Sequence, residues 1–186
     1  MKEGWKFLDD VHDINSLPSE NIPEIVFWGK SNVGKSSLIN SITNSTLAKT
    51  SKIPGRTRSL VFFQLDKKLR IVDFPGYGYS KIPLTTEYKI NKIIDQYLNN
   101  RKCIEKLFLL IDSKHGFKEK DQEIIKELDI LFKEKVFIIF TKKDRLRNSN
   151  DKENLYKYNE KASNEFNKKF FNTSIKEVNT IILLKK

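Results

Sequence analysis

Gly29-Lys30-Ser31-Asn32-Val33-Gly34-Lys35-Ser36 spells G-x-x-x-x-G-K-[ST], a pattern whose residue types suit phosphate binding. Gly29 and Gly34 let the backbone bend so that its N–H groups point at phosphate oxygens. Lys35 can reach the β- and γ-phosphates of a nucleoside triphosphate, and the Ser36 hydroxyl can ligate Mg²⁺. This loop alone does not separate ATP from GTP.

Further patterns follow. Asp73-Phe74-Pro75-Gly76 fits D-x-x-G. The aspartate can hold Mg²⁺ through water, and Gly76 can offer its backbone N–H to a γ-phosphate. The same residues also make an ordinary turn. Thr57, within Pro54-Gly55-Arg56-Thr57-Arg58, could supply a second hydroxyl to Mg²⁺; the alternative is a surface loop threonine. Thr141-Lys142-Lys143-Asp144 fits [NT]-K-x-D. The Asp144 carboxylate can accept from the N1–H and NH₂ of guanine. Adenine presents no such donor pair, and sites of this kind reject the wrong ligand by roughly 10⁴ or more. The Lys142 stem can lie across the base. Thr173-Ser174 is either a backbone donor to guanine O6 or a plain turn.

These loops need strands and helices to hold them. Residues 25–28 read as a buried strand feeding the glycine loop, and 35–42 as the helix that follows. Residues 60–65 and 69–73 read as an antiparallel hairpin around Asp66-Lys67-Lys68. Residues 85–98 carry apolar or aromatic side chains at helical spacing, at 88, 90, 93, 94, 97 and 98. A strand at 107–111, a helix marked by Ile124, Ile125, Leu128, Leu131 and Phe132, and a strand at 136–140 come next. A polar helix over 151–166, a short strand at Phe170-Phe171 and a closing helix at 180–184 complete the chain. Strands alternating with helices predict an α/β P-loop NTPase G domain. Its sheet should be mainly parallel and six-stranded, with one antiparallel edge strand and helices on both faces. Such sheets bind ligands beyond the carboxyl ends of their strands, where each of these motifs falls.

The 186 residues suit one domain, 38% hydrophobic and 32% charged. Lys and Arg outnumber Asp and Glu by 35 to 24, for a net charge of +11. That balance suits a polyanionic partner such as RNA, or simply solubility. The single cysteine, Cys103, excludes an intrachain disulfide and fits a reducing compartment. Just before an apolar run, it reads as a small buried thiol. The first residues lack a signal-peptide apolar stretch. The longest apolar runs, 107–111 and 136–140, are five residues each, too short for a bilayer.

Taken in order, these motifs resemble the EngB family (also called YsxC or YihA), ribosome-biogenesis GTPases of the Era-like translation-factor class. The resemblance spans about residues 23–179. Pro23-Glu24-Ile25, the 29–36 loop continuing through Ser37-Leu38-Ile39-Asn40, Pro54 to Thr57, Pro75-Gly76-Tyr77-Gly78-Tyr79 and the 141–144 motif carry it. It implies a G domain over 23–186 after an N-terminal arm at 1–22. It also implies GTP and GDP binding with Mg²⁺ on Ser36 and Thr57, and nucleotide contacts at 29–36, 55–59, 73–76, 141–144 and 172–174. The contacts thus include Arg56, Arg58, Ser59 and Asn172 beside the motif residues. Action in large-subunit assembly and a link to cell division and septation are likewise implied; the lone cysteine is what points to a cytoplasmic location. Departures are Asn179 where the family has glycine, Asn172-Thr173-Ser174 in the last loop, and Arg58 and Ser59.

Ras-like enzymes place a water-orienting glutamine after D-x-x-G; here the residue is Tyr77. No general base is expected, and isolated turnover should be slow. Catalysis would rest on Lys35, Thr57, Mg²⁺ and backbone donors. In related GTPases an asparagine at the Asn32 position helps bind K⁺; the other reading of Asn32 is backbone tolerance. Loops 44–59 and 74–84 are the expected switches, and Lys49, Lys52, Arg56 and Arg58 could touch rRNA of a large-subunit precursor. No membrane or DNA partner is expected, and the chain is read as a monomer. A P-loop kinase or ATPase is the rival that Asp144 argues against. Lys35 and Ser36 argue against an RNA-binding module with a dead nucleotide site.

Overall fold

A computed structural model describes residues 4–48, 58–78 and 83–174. The helix expected at 180–184, Asn179, Lys49, Lys52, Tyr79 and the loop residues Gly55, Arg56 and Thr57 lie outside the described residues. The strands are β1 (Trp5–Val11), β2 (Glu24–Gly29), β3 (Leu60–Leu65), β4 (Leu69–Asp73), β5 (Ile104–Asp112), β6 (Val136–Thr141) and β7 (Lys169–Asn172). They form one sheet in the order β1-β3-β4-β2-β5-β6-β7. β4, β2, β5, β6 and β7 pair in parallel, and β3 runs against β4.

The sequence predicts six strands; the sheet has seven. The added one is β1, which pairs antiparallel with β3 from Trp5↔Leu65 to Val11↔Leu60. The reversed strand β3 is therefore covered, and β1 forms the edge. With Lys6, Asp9 and Asp10 among its residues, β1 lacks the apolar alternation of a buried strand. An edge strand tolerates such charges, and they discourage further pairing.

Among the described residues, four α-helices flank the sheet: α1 (Lys35–Thr43), α2 (Leu84–Asn100), α3 (Glu119–Phe132) and α4 (Ser149–Glu160). Alternation along β2 sends Ile25 and Phe27 to one face and Val26 and Trp28 to the other. The first face packs on Leu38 and Ile39 of α1. The second packs on Ile93 and Tyr97 of α2, Ile124 and Leu128 of α3, and Leu155 of α4. Tyr88 is exposed, because it sits about 200° around the helix from Ile90. Leu131 is exposed too. The helix expected over 151–166 comes in two parts, with a π-helical turn over Lys161–Glu165. That turn delivers Phe166 to Phe117, with ring centroids 5.2 Å apart. Among the described residues no helix is long and apolar enough to cross a membrane.

At the opposite end of β2 from the glycine loop lies a buried ionic cluster. Glu24 is 0% exposed and receives Arg101 through Nε at 2.9 Å and Nη2 at 2.6 Å. Tyr97 donates its hydroxyl to the same carboxylate at 2.5 Å, and Arg70 approaches at 3.3 Å. Cys103 is half-buried beside it. Burial and the Glu24 charge push its thiol up to about 12, so it is no nucleophile at neutral pH.

Candidate functional site

The glycine loop leaves the carboxyl end of β2 and turns into α1. Gly34 has φ +107°, a backbone that side-chain-bearing residues rarely adopt. The first turn of α1 has no capping side-chain hydrogen bond and no acidic residue, so its N-terminal amides and dipole suit an anion. Lys35 is 8% exposed and its ammonium donates to Asp73. Ser36 also hydrogen-bonds that carboxylate.

Asp73 ends β4, which pairs with β2 at Phe27↔Asp73. The register of these parallel strands is what sets the D-x-x-G loop beside the glycine loop. Burial pushes the Asp73 carboxyl above its ordinary value, against the pull of Lys35 and Ser36. Phe74 is fully buried, edge-on to Trp28 and Tyr97. The Trp28 indole N–H donates to the Pro75 carbonyl at 3.1 Å. A Cβ on Gly76 would lie 2.9 Å from Ser31 Cα, so only glycine fits this approach. Tyr77 does not face the phosphate loop with its hydroxyl; it donates that group to Asp121 on α3.

The third motif leaves β6. Thr141 is buried and donates its hydroxyl to the Val33 carbonyl at 2.6 Å. Lys142, at φ +60°, sends its ammonium to the Asn32 carbonyl and to Asp112 Oδ2, both at 2.7 Å. Burial alone would raise the Asp112 carboxyl; the hydrogen bond and charge of Lys142 outweigh it and hold the group below its ordinary value. Lys143 and Asp144 follow in a short 3₁₀ turn, with Asp144 exposed at the rim. The Lys143 amide donates to the Thr173 carbonyl at 3.2 Å, so residues 172–174 come beside the 141–144 loop.

A family model described as 50S ribosome-binding GTPase matches residues 24–142. A Rickettsia felis protein named probable GTP-binding protein EngB is 46% identical over 160 residues, 86% of this chain and 72% of that one. Its counterpart in Metamycoplasma arthritidis is 45% identical over 148 residues, 78% and 79% of the two chains. The chain belongs to the EngB family. A crystal structure of a probable GTP-binding protein engB superposes with TM-score 0.66 at 28% identity, covering 87% of this chain and 94% of that one. Aquifex aeolicus Era bound to GDP·AlF₄⁻ superposes with TM-score 0.71 at 23% identity, covering 89% and 55%; that likeness is one of fold.

In this EngB-family chain the three motifs meet at one end of the sheet. The remaining expected site residues differ in their surroundings. Arg58 is exposed. Ser59 is 3% exposed and donates its hydroxyl to Asp10 of β1, which commits it to the sheet edge. Ser174 is 2% exposed, and its hydroxyl finds no partner among the described residues. The donor set fits Mg²⁺: a hydroxyl and a buried carboxylate are hard oxygen ligands, and Ser36 and Asp73 stand in contact.

Asp112 and Asp121 are not signalled by any motif, and neither is the role of Asn40. Asp112, the partner of Lys142, ends a parallel strand on the ligand side of the sheet, which is the one sequence cue for it. Asp121 shows only as a helix-start acid. Asn40 donates to the Ala48 carbonyl at 2.8 Å and accepts the Ala48 amide at 2.7 Å. It thereby ties the entrance of the first expected switch to α1.

Proposed function

We propose that this EngB-family chain is a GTP-hydrolysing switch that acts in assembly of the large ribosomal subunit. The observation that carries the nucleotide reading is the Lys142 ammonium, which joins the base-recognition loop to the phosphate loop at Asn32. Asp144, two residues on, accepts from guanine. Lys35 leaves Asp73 for the β- and γ-phosphates. Ser36 and Thr57 would hold Mg²⁺, which would supply neutralisation of phosphate charge. Gly76 offers its N–H to the γ-phosphate.

Isolated turnover is slow, no faster than roughly 10⁻⁴ per second, the intrinsic rate of an unassisted Ras-type site. The reason is Tyr77, whose hydroxyl is committed to Asp121 and orients no water. Hydrolysis is electrostatic and is completed by a partner. K⁺ stimulation through Asn32 is part of the proposal; equal rates in K⁺ and Na⁺ would overturn it, leaving the positive φ of Asn32 as the reason for its residue type.

The partner is a large-subunit precursor, through rRNA and ribosomal proteins. The family description, 50S ribosome-binding GTPase, and the net charge of +11 support this. The chain works as a cytoplasmic monomer, and its loss disturbs division and septation. Co-sedimentation with large subunits in GDP and in a non-hydrolysable GTP analogue tests the switch. Binding should favour the analogue and weaken with salt. Binding indifferent to both nucleotide and salt would refute it.

A further inference from the structure

We propose that Tyr77 is a positioning residue for the γ-phosphate contact of Gly76, acting through a hydroxyl latch onto Asp121 at the start of α3. The inference rests on the guanine-nucleotide reading above and goes beyond it by assigning a role to Tyr77 and Asp121.

Tyr77 is held in three ways. Its backbone carbonyl accepts the Ser31 amide of the phosphate loop at 3.0 Å. Its ring meets the Trp28 ring edge-on, with centroids 5.7 Å apart. Its hydroxyl donates to Asp121. Asp121 is 3% exposed, and its second oxygen accepts the Lys118 amide at 2.6 Å. The acceptor is thus fixed by the first turn of α3 and cannot follow the tyrosine if the loop moves. Burial and the Asp121 charge push the Tyr77 hydroxyl upward, so it stays a protonated donor.

Pro75, on the other side of Gly76, is held by the Trp28 indole. Gly76 therefore lies between two anchored residues and rests against Ser31. Its N–H is the group that can meet a γ-phosphate, and the latch sets where that N–H stands relative to the phosphate loop. Hydrogen bonds to an ionised acceptor are the strong ones. Without the hydroxyl, the ring and backbone contacts remain but the loop gains freedom that γ-phosphate binding must remove. GDP makes no γ-phosphate contact and is indifferent to this freedom.

The test is Tyr77→Phe in the full chain, which keeps the ring on Trp28. Affinities for GDP and for a non-hydrolysable GTP analogue are measured by titration, beside thermal melts. The analogue should bind about tenfold more weakly, the equivalent of one charged hydrogen bond's lower range, while GDP affinity holds within about twofold. Trp5→Phe leaves Trp28 as the sole tryptophan of the two. In that background the emission difference between GDP and analogue states should shrink on adding Tyr77→Phe. A merely structural Tyr77 would lower the melting temperature and both affinities together, which overturns the latch. So would an unchanged or higher analogue-to-GDP affinity ratio. If the unsubstituted chain bound neither nucleotide, the guanine reading itself would fail and take the latch with it.

Discussion

The ammonium of Lys142 donates to the backbone carbonyl of Asn32, 110 residues away in sequence, at 2.7 Å. The same ammonium pairs with Asp112, and both side chains are more than four-fifths buried, at 17% and 18% exposure. With the Thr141 hydroxyl on the Val33 carbonyl, the Lys142 side chain holds the 141–144 loop against the phosphate loop. Lys142→Ala should weaken GDP and GTP alike, by about 10- to 100-fold, the worth of a charged hydrogen bond. Asp112→Asn should cost less, because Lys142 keeps Asn32. Isothermal titration of the two variants checks the order.

Asp144→Asn replaces an acceptor pair with one donor and one acceptor. Guanine then loses a partner for its amide and amine hydrogens, and xanthine, with a carbonyl in place of the amine, gains one. GTP affinity should fall by about 10²-fold or more, with XTP affinity rising relative to it. Competition of GTP and XTP for a fluorescent nucleotide measures the exchange.

Glu24→Ala should lower stability by about 3–5 kcal/mol, because it leaves buried arginine charge without its partner. Arg101 and Arg70 are 7% and 4% exposed, so water offers little compensation. The cluster lies at the far end of β2 from Gly29, so nucleotide affinity of the folded fraction should be unchanged. Urea unfolding followed by titration separates the two effects.

Cys103 should resist alkylation. With its thiol pushed from 9.0 to about 12, the thiolate fraction at pH 8 is roughly 10⁻⁴. Iodoacetamide should react far faster once the chain is unfolded. The native state also binds this proton more tightly than the unfolded state. The resulting stabilisation is present in full below pH 9 and lost as pH rises towards about 12. Comparing urea midpoints of the native chain and Cys103→Ser across that range checks the sign.

Much of the scaffold is legible before any fold is known. The hairpin reads from its turn and its flanking apolar runs, and Leu60–Leu65 and Leu69–Asp73 form with those bounds. The helix read over 85–98 from its repeat forms as Leu84–Asn100. The first residues read only as a strand or arm before the core, because an edge strand need bury only part of itself, so Asp9 and Asp10 carry no penalty there. The break after Glu160 is missed because a π-helical turn changes hydrogen-bond partners without changing residue types.

The three motifs and their order follow from the sequence alone. Each is a contiguous run in which a few backbone amides and short side chains do the chemistry, so adjacency along the chain is enough to recognise it. The pairs that connect the motifs were decided only by the tertiary structure. Lys142 with Asp112, Tyr77 with Asp121 and Glu24 with Arg101 meet because parallel strands end in a particular register and the helices pack on a particular face. No spacing in the sequence encodes that register directly; it is set by how the buried faces of β2, β4, β5 and β6 fit together.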